Sequence, residues 1–226
     1  VRLPRVVLAG IVGAMLSGGG AAYQGVFRNP LADPYLLGVA AGAGLGATVV
    51  IVGGGASALV PAVAFAGGIG AVVMTYALGA TAARGSNARG IAGGTASIVL
   101  AGVAVAALLT AVQTYLQQQH IQEIQSVYSW ILGRLTLASW SDVTTVLPYA
   151  GVAAILLLLH GRQIDVLRVG EVEAGGLGLN TVRLRLIVVG AATLGTAAAV
   201  AVSGLIGFVG IIVPHAVRLT TGGGYR

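Results

Sequence analysis

The sequence predicts an all-α protein, a polytopic transmembrane helical bundle. Apolar residues make up 57% of the 226 residues and charged residues only 8%, whereas a soluble domain carries about 25% charged residues. So few charges cannot cover a water-facing surface, so the outer surface must face lipid. The 37 glycines are typical of membrane helices, which associate where small residues let backbones approach. Gly38, Gly42 and Gly46 repeat every four positions and predict one such close-packed face.

Apolar runs divide the chain into segments long enough to cross a bilayer, which takes about 20 residues. A further apolar stretch, 204–219, is interrupted by Pro214 and is too short to predict a full crossing. The more polar segment 117–141 predicts an interfacial turn with a short helix around 121–132. The predicted spans are 6–27, 36–53, 58–82, 93–116, 142–160 and 183–203.

Arginines near the span ends predict the orientation, because cytoplasmic loops of membrane proteins carry the excess of positive charge. Two alternating sets of ends carry seven and five arginines. This bias places the loops 83–92 and 161–182 in the cytoplasm, so the first span runs from outside to inside. The seven are Arg28, Arg84, Arg89, Arg162, Arg168, Arg183 and Arg185, and the five are Arg2, Arg5, Arg134, Arg218 and Arg226.

The connecting segment 161–182 alternates apolar and charged residues and holds three of the six acids of the chain. Ile164, Leu167, Val172 and Leu177 recur at roughly helical spacing, which predicts an amphipathic helix. Such a helix favours a docking surface for a partner. A solvated connector without a partner is the alternative reading.

A second polar cluster lies where the first span ends, with Gln24, Asn29 and Asp33 close to two prolines. Pro30 and Pro34 each disfavour helix at the preceding residue, so the chain must turn here. Irregular backbone at membrane depth is tolerated only where it is buried or lines a water-filled path. The cluster therefore indicates either a constriction on a translocation pathway or an ordinary loop between spans.

The reactive side chains of the sequence do not predict an enzyme or a bound cofactor. His120, His160 and His215 are far apart and lack metal-ligand spacing. There is no cysteine, no Walker A loop for nucleotide and no basic stripe for nucleic acid. Any nucleotide-driven transport would therefore need ATP hydrolysis on another polypeptide.

Six stretches of the sequence form a recognisable set: RLPR at 2–5, SGGGAAYQGVFRNPLADPYLLGVAAGAGLGA at 17–47, LAGVAVAALLTA at 100–111, WILGRLTLASW at 130–140, LRVGEVEAGGLGL at 167–179 and GFVGIIVPHAVRL at 207–219. Together they resemble the FecCD-type permease family, the membrane component of type II ABC importers for iron chelates, haem and vitamin B12. The resemblance implies part of a ten-helix importer permease fold. Residues 1–226 would form a single permease domain that starts at the second helix and stops near the eighth, with 161–182 as the cytoplasmic coupling segment.

The same resemblance implies roles for individual residues. Arg2 and Arg5 match external arginines that meet acidic residues of a substrate-binding protein. A cytoplasmic translocation gate is expected at Asn29, Pro30, Leu31 and Thr95, with Gln24 on the pathway. Coupling to the ATPase is expected at Leu167, Gly170, Glu171, Ala174, Leu177 and Gly178.

The function that the resemblance implies is import of iron-siderophore, haem or cobalamin across the bacterial inner (cytoplasmic) membrane. The expected partners are a second copy of the chain, cytoplasmic ATPase subunits that carry ATP and Mg²⁺, an extracytoplasmic substrate-binding protein and membrane lipid, without nucleic acid. The residues alone leave an ion-coupled secondary transporter or channel as the alternative, although such proteins usually place ionisable groups at the midplane.

Overall fold

The computed structural model describes residues 2–85 and 91–221, and within these ranges every regular element is a helix. This confirms the all-α prediction. The helices are α1 (Leu3–Phe27), α2 (Val39–Val52), α3 (Val60–Gly85), α4 (Ile91–Gln119), α5 (Ile124–Ile131), α6 (Trp140–Leu159), α7 (Gly161–Val169), α8 (Glu171–Gly176), α9 (Thr181–Ser203) and α10 (Val209–Thr221).

Within the described residues, five helices are long and apolar enough to cross a membrane, namely α1, α3, α4, α6 and α9, and α2 and α10 are shorter apolar helices. The predicted spans 6–27, 58–82, 93–116, 142–160 and 183–203 match these long helices, whereas the predicted span 36–53 corresponds to the shorter α2 of 14 residues. Helix α2 begins only at Val39, because Gly38 precedes it with a positive φ of 88°. Helix α10 is 13 residues long and contains Pro214. The short interfacial helix predicted around 121–132 corresponds to α5 and the turn before it.

Helix α9 is the central helix of the bundle and packs against α1, α3 and α6. Most of its residues are buried, and many are Ala, Gly or Thr, which allow neighbouring helices to approach closely. The hydroxyls of Tyr23 in α1 and Thr193 in α9 form a buried hydrogen bond of 3.1 Å. Buried Leu8 and Val12 of α1 share an apolar cluster with Ala198 and Ala199 of α9. Helices α1 and α9 therefore run antiparallel.

Helices α2 and α3 pack closely through glycines of the face that the sequence predicts. A Cβ atom at Gly42 would overlap the carbonyl of Gly67, and one at Gly46 would lie 2.5 Å from the carbonyl oxygen of Val63. The two backbones are thus in direct contact. The predicted close-packed face is confirmed at Gly42 and Gly46, whereas Gly38 precedes α2 and a Cβ there would meet side chains only at 3.6 Å.

The segment 161–182 is not the single amphipathic helix that the apolar spacing predicts. It forms two short helices, α7 and α8, which meet at Gly170. Gly170 has φ 152° and ψ 152°, a conformation open essentially to glycine alone. Because the helix axis changes there, Ile164 and Leu167 are buried while Val172 and Leu177 are exposed, so the four residues do not share one face.

The structure also corrects the position of one arginine in the orientation sets. Arg218 was expected with Arg2, Arg5 and Arg134, but its guanidinium contacts the side chain of Gln24, one helical turn from the end of α1 that carries Arg28. The side chain of Arg84 and all of Arg89 and Arg226 lie outside the described residues.

Candidate functional site

The loop between α1 and α2, residues 28–38, is a compact turn held by its own polar side chains. The side-chain oxygen of Asn29 accepts the backbone N–H of Leu31 at 2.9 Å, and that of Asp33 accepts the N–H of Tyr35 at 2.8 Å. Both are turns in which a side chain replaces a backbone acceptor. Burial raises the pKa of the Asp33 carboxyl above its usual range. The loop is therefore ordered by local bonds rather than by helix.

The predicted gate residues of this loop form its exposed tip. Asn29 and Pro30 are exposed, and the side chain of Leu31 is 72% exposed. Gln24, one turn earlier in α1, is only 4% exposed. Thr95 belongs to α4, but its side chain lies outside the described residues. The structure thus places Asn29, Pro30 and Leu31 together at the tip. The gating role of these three residues and of Thr95 stays a prediction.

Gln24 makes a buried polar network that joins the loop to α10. Its amide NH₂ donates to the carbonyls of Gly210 at 3.0 Å and of Ala32 at 3.3 Å, and its oxygen accepts a hydrogen bond from Arg218. A buried amide in lipid needs such partners. In this chain Gln24 is a structural junction, and a pathway role for it is untested.

Tyr35 makes a second connection between the same loop and the segment before α10. Its hydroxyl donates to the carbonyl of Ile206 at 3.0 Å and accepts the Ile206 N–H at 3.2 Å. Pro34 packs against Gly210, where a Cβ would overlap the proline ring. The loop is therefore fixed on the side that faces α10, while its tip at Asn29–Leu31 is exposed.

The pair of helices α7 and α8 presents an apolar surface at the end of the bundle that carries the loop tip. Val169 is 72%, Val172 74% and Leu177 76% exposed. We call these three residues the α7–α8 surface. Sequence reasoning did not single out Val169, which lies next to Gly170, where α7 and α8 meet. An exposed apolar patch flanked by charged residues indicates an interaction site.

The inward side of the same helices belongs to the core of the bundle. Ile164, Leu167 and Ala174 are buried in one cluster with Val26 and Phe27 at the end of α1. The cluster also contains Ala32 and Leu37 of the loop. Leu167, Gly170 and Ala174, predicted as coupling residues, are buried, and their coupling role stays a prediction. Gly178 is exposed beside Leu177, and the side chain of Glu171 lies outside the described residues.

Arg2 and Arg5 lie at the opposite end of α1, and both are exposed. They are three residues apart, so they share one face of the helix. The 25 residues of α1 separate them from the loop tip by roughly 37 Å. Arg134 belongs to the same end, since its backbone N–H donates to the carbonyl of Ser203, the last residue of α9, at 2.9 Å.

Within 2–85 and 91–221, no three His, Cys, Asp or Glu side chains come together in a way that could hold a metal ion. The described residues form a helical bundle with the exposed Arg2 and Arg5 at one end. At its other end lie a polar loop and an apolar surface that share one core cluster. Such an arrangement can transmit a displacement from the α7–α8 surface to the loop.

Comparison with known proteins gives a consistent result over the whole chain. The family model described as the FecCD transport family matches residues 1–226. The cobalamin import system permease protein BtuC of Halobacterium salinarum is 41% identical over 233 residues, which cover all of this chain and 59% of that protein. The hemin transport system permease protein HmuU of Yersinia pestis is 39% identical over 235 residues, which cover 100% of this chain and 67% of that protein.

A solved structure gives the same fold. It is described as an inward-facing conformation of a metal-chelate type ABC transporter, and it superimposes with a TM-score of 0.88 at 29% identity, covering 100% of this chain and 70% of its own. The chain spans 59% of the length of the BtuC protein and 64% of a Bacillus subtilis permease, YvrB, to which it is 37% identical.

Proposed function

This chain belongs to the FecCD transport family, and from that membership we propose that it is the membrane-spanning permease subunit of an ATP-driven importer. It works with cytoplasmic ATPase subunits that bind ATP and Mg²⁺, with an extracytoplasmic substrate-binding protein and with a second copy of itself. The membrane is the cytoplasmic membrane of a bacterium. The permease catalyses no reaction of its own.

The observation that carries this proposal is the two-sided construction of α7 and α8. Their outer side exposes Val169, Val172 and Leu177, and their inner side is buried with the end of α1 and the polar loop. An ATPase that binds the α7–α8 surface can therefore displace the loop by moving α7 and α8. ATP binding moves α7 and α8 as a rigid body, and the shared core cluster carries that displacement to Asn29, Pro30 and Leu31.

The cargo belongs to the class of large chelates, with iron-siderophore first and haem and cobalamin next. Two relatives, 41% and 39% identical to this chain, are named for cobalamin import and hemin transport, and a third at 33% identity is named for Fe(3+)-citrate import. Arg2 and Arg5 dock the loaded binding protein at the other end.

The test uses the full-length permease, purified with its ATPase and reconstituted in vesicles with loaded binding protein. Leu177→Asp places a charge on the α7–α8 surface. We expect it to reduce retention of the ATPase and ATP-driven uptake at least tenfold, because an apolar interface does not accept an unpaired charge. Leu137→Asp is the matched control, since Leu137 is 71% exposed at the opposite end of the bundle.

A second variant separates binding from coupling. Glu171→Arg is expected to leave the membrane fold intact while uncoupling ATP hydrolysis from uptake. Uptake that is independent of ATP and driven by an ion gradient would contradict the proposal and support an ion-coupled secondary transporter. Equal uptake by the Leu177→Asp and Leu137→Asp variants would equally contradict it.

A further inference from the structure

A polar recess lies where α6 ends and α9 begins. Its volume is about 280 Å³. Its polar lining consists of His160, Gln163, Asn180 and Arg183, which come from the end of α6, from α7 and from the start of α9. Two transmembrane helices and the segment between them thus share this recess.

An apolar groove continues from the recess along the bundle, between α3 and α6 and over α9. Its volume is about 500 Å³, and its lining includes Ile69, Val72, Leu156 and Leu194. His160 and Ile187 line both the recess and the groove, so the two are continuous. The groove is open at its side, and an apolar open groove on a membrane-spanning bundle faces lipid chains rather than water.

The length of the recess and groove along α9 matches the hydrocarbon thickness of one leaflet of a bilayer. From Arg183 to Leu194, α9 rises roughly 16 Å at 1.5 Å per residue. Half of a hydrocarbon core is about 15 Å. An acyl chain that starts at the recess therefore fills the groove as far as the bilayer centre.

The polar groups of the recess favour an anion. Arg183 is a permanent cation. The Nδ1–H of His160 donates to the carbonyl of Leu156 at 2.8 Å, so in the neutral ring Nε2 is an acceptor and His160 supplies no donor to the recess. Asn180 Oδ1 accepts the backbone N–H of Arg183 at 2.9 Å, which leaves its NH₂ group as a donor.

No carboxylate competes for these donors among the described side chains of the 161–182 segment. Asp165 lies 3.8 Å from Arg168 in the same helix, and the carboxylate of Glu173 lies against Gly170. Neither acid lines the recess. The charge of the lining, within the described part of this segment, is therefore positive.

We propose that the recess and the groove form a binding site for one anionic phospholipid. Its phosphate occupies the recess beside Arg183 and one acyl chain occupies the groove. Basic pockets between transmembrane helices bind such headgroups. A zwitterionic lipid carries a cation next to its phosphate, which Arg183 repels. Because Gln163 belongs to α7, the bound phosphate bridges α7 to α9. The site requires that the bundle lies in a membrane and that the groove stays open to lipid in the full-length protein, and it does not depend on the transport proposal.

The test measures retention of phosphatidylglycerol and of phosphatidylcholine on the full-length permease by native mass spectrometry. Arg183→Gln is expected to weaken phosphatidylglycerol retention about fivefold and to leave phosphatidylcholine unchanged. The matched control is Arg162→Gln, which removes an equal charge from exposed Arg162 of α7 outside the recess lining. Equal losses from the two variants, or equal retention of both lipids by the parent protein, would overturn the proposal.

A second pair of variants distinguishes a lipid from a free phosphate group. A Cβ at Gly190, which lines the groove, would meet no atom within 4 Å, so Gly190→Ala fits and Gly190→Trp fills the groove. The Gly190→Trp variant is expected to lose phosphatidylglycerol while Gly190→Ala retains it, with unfolding temperatures in phosphatidylcholine that match the parent. Undiminished phosphatidylglycerol retention by Gly190→Trp, or soluble glycerol phosphate bound as tightly as the lipid, would show that the groove holds no acyl chain.

Discussion

The buried network around Gln24 should be one of the costliest places in the bundle to disturb. Gln24→Leu preserves much of the side-chain volume but removes two donated hydrogen bonds and the acceptor of Arg218. A neutral bond contributes about 1 kcal/mol and a bond to a charged group about 1.5–3 kcal/mol. Since hydrogen bonds inside membranes average about 0.6 kcal/mol, we expect a loss of about 2–5 kcal/mol in unfolding free energy.

The assay is equilibrium unfolding of the full-length permease in mixed detergent micelles, with a double-mutant cycle. Combining Gln24→Leu with Arg218→Leu should cost about 1.5–3 kcal/mol less than the sum of the single variants, because no guanidinium is left unpaired. Gln118→Leu, at an exposed glutamine of α4, is the control and should change stability by less than about 0.5 kcal/mol. Additive losses, or a Gln24→Leu loss no larger than that of the control, would refute the reasoning.

Three further predictions concern the helix contacts, the coupling segment and the outer arginines. Gly42→Leu should destabilise the full-length permease in detergent by about 3 kcal/mol or more, because a Cβ at this position overlaps backbone atoms. Gly70→Ala is the control and should not destabilise it, because a Cβ at Gly70 meets no atom within 4 Å. Equal losses from the two variants would contradict the close packing of α2 and α3. Gly170→Ala should strain the junction at φ 152° by about 1–3 kcal/mol and reduce ATP-driven uptake, and unchanged uptake would show that the junction tolerates a side chain. Combining Arg2→Glu with Arg5→Glu should raise the concentration of binding protein that gives half-maximal uptake, and this increase should disappear at high salt. A loss of maximal uptake that does not depend on salt would contradict a docking role.

The helices of the membrane were predictable from sequence because each span is a long apolar run with no competing structure. The predicted span 183–203 and the observed α9, for example, share the same last residue, Ser203. The proline-containing loop after α1 was predictable for the same kind of reason, since Pro30 and Pro34 exclude helix locally. These features depend on neighbours along the chain, which the sequence displays directly.

The features that sequence reasoning missed depend on packing between distant segments. The apolar spacing of Ile164, Leu167, Val172 and Leu177 predicts one amphipathic face, but the conformation of Gly170 divides these residues between core and surface. Arg218 is 194 residues from Gln24, and no local pattern connects them. The lipid groove likewise exists only where α3, α6 and α9 meet.

The most direct test of the account is whether Leu177 touches an ATPase at the cytoplasmic side. The 226 residues contain no cysteine. Once any cysteine elsewhere in the full-length permease is replaced, Leu177→Cys and Leu137→Cys each offer a defined attachment point for a thiol-to-amine crosslinker in intact cells and in vesicles. The account predicts that Leu177→Cys crosslinks to the ATPase and resists a membrane-impermeant thiol reagent added outside the cell, whereas Leu137→Cys reacts with that reagent and does not crosslink. External labelling of Leu177→Cys, without a crosslink to the ATPase, would contradict the account.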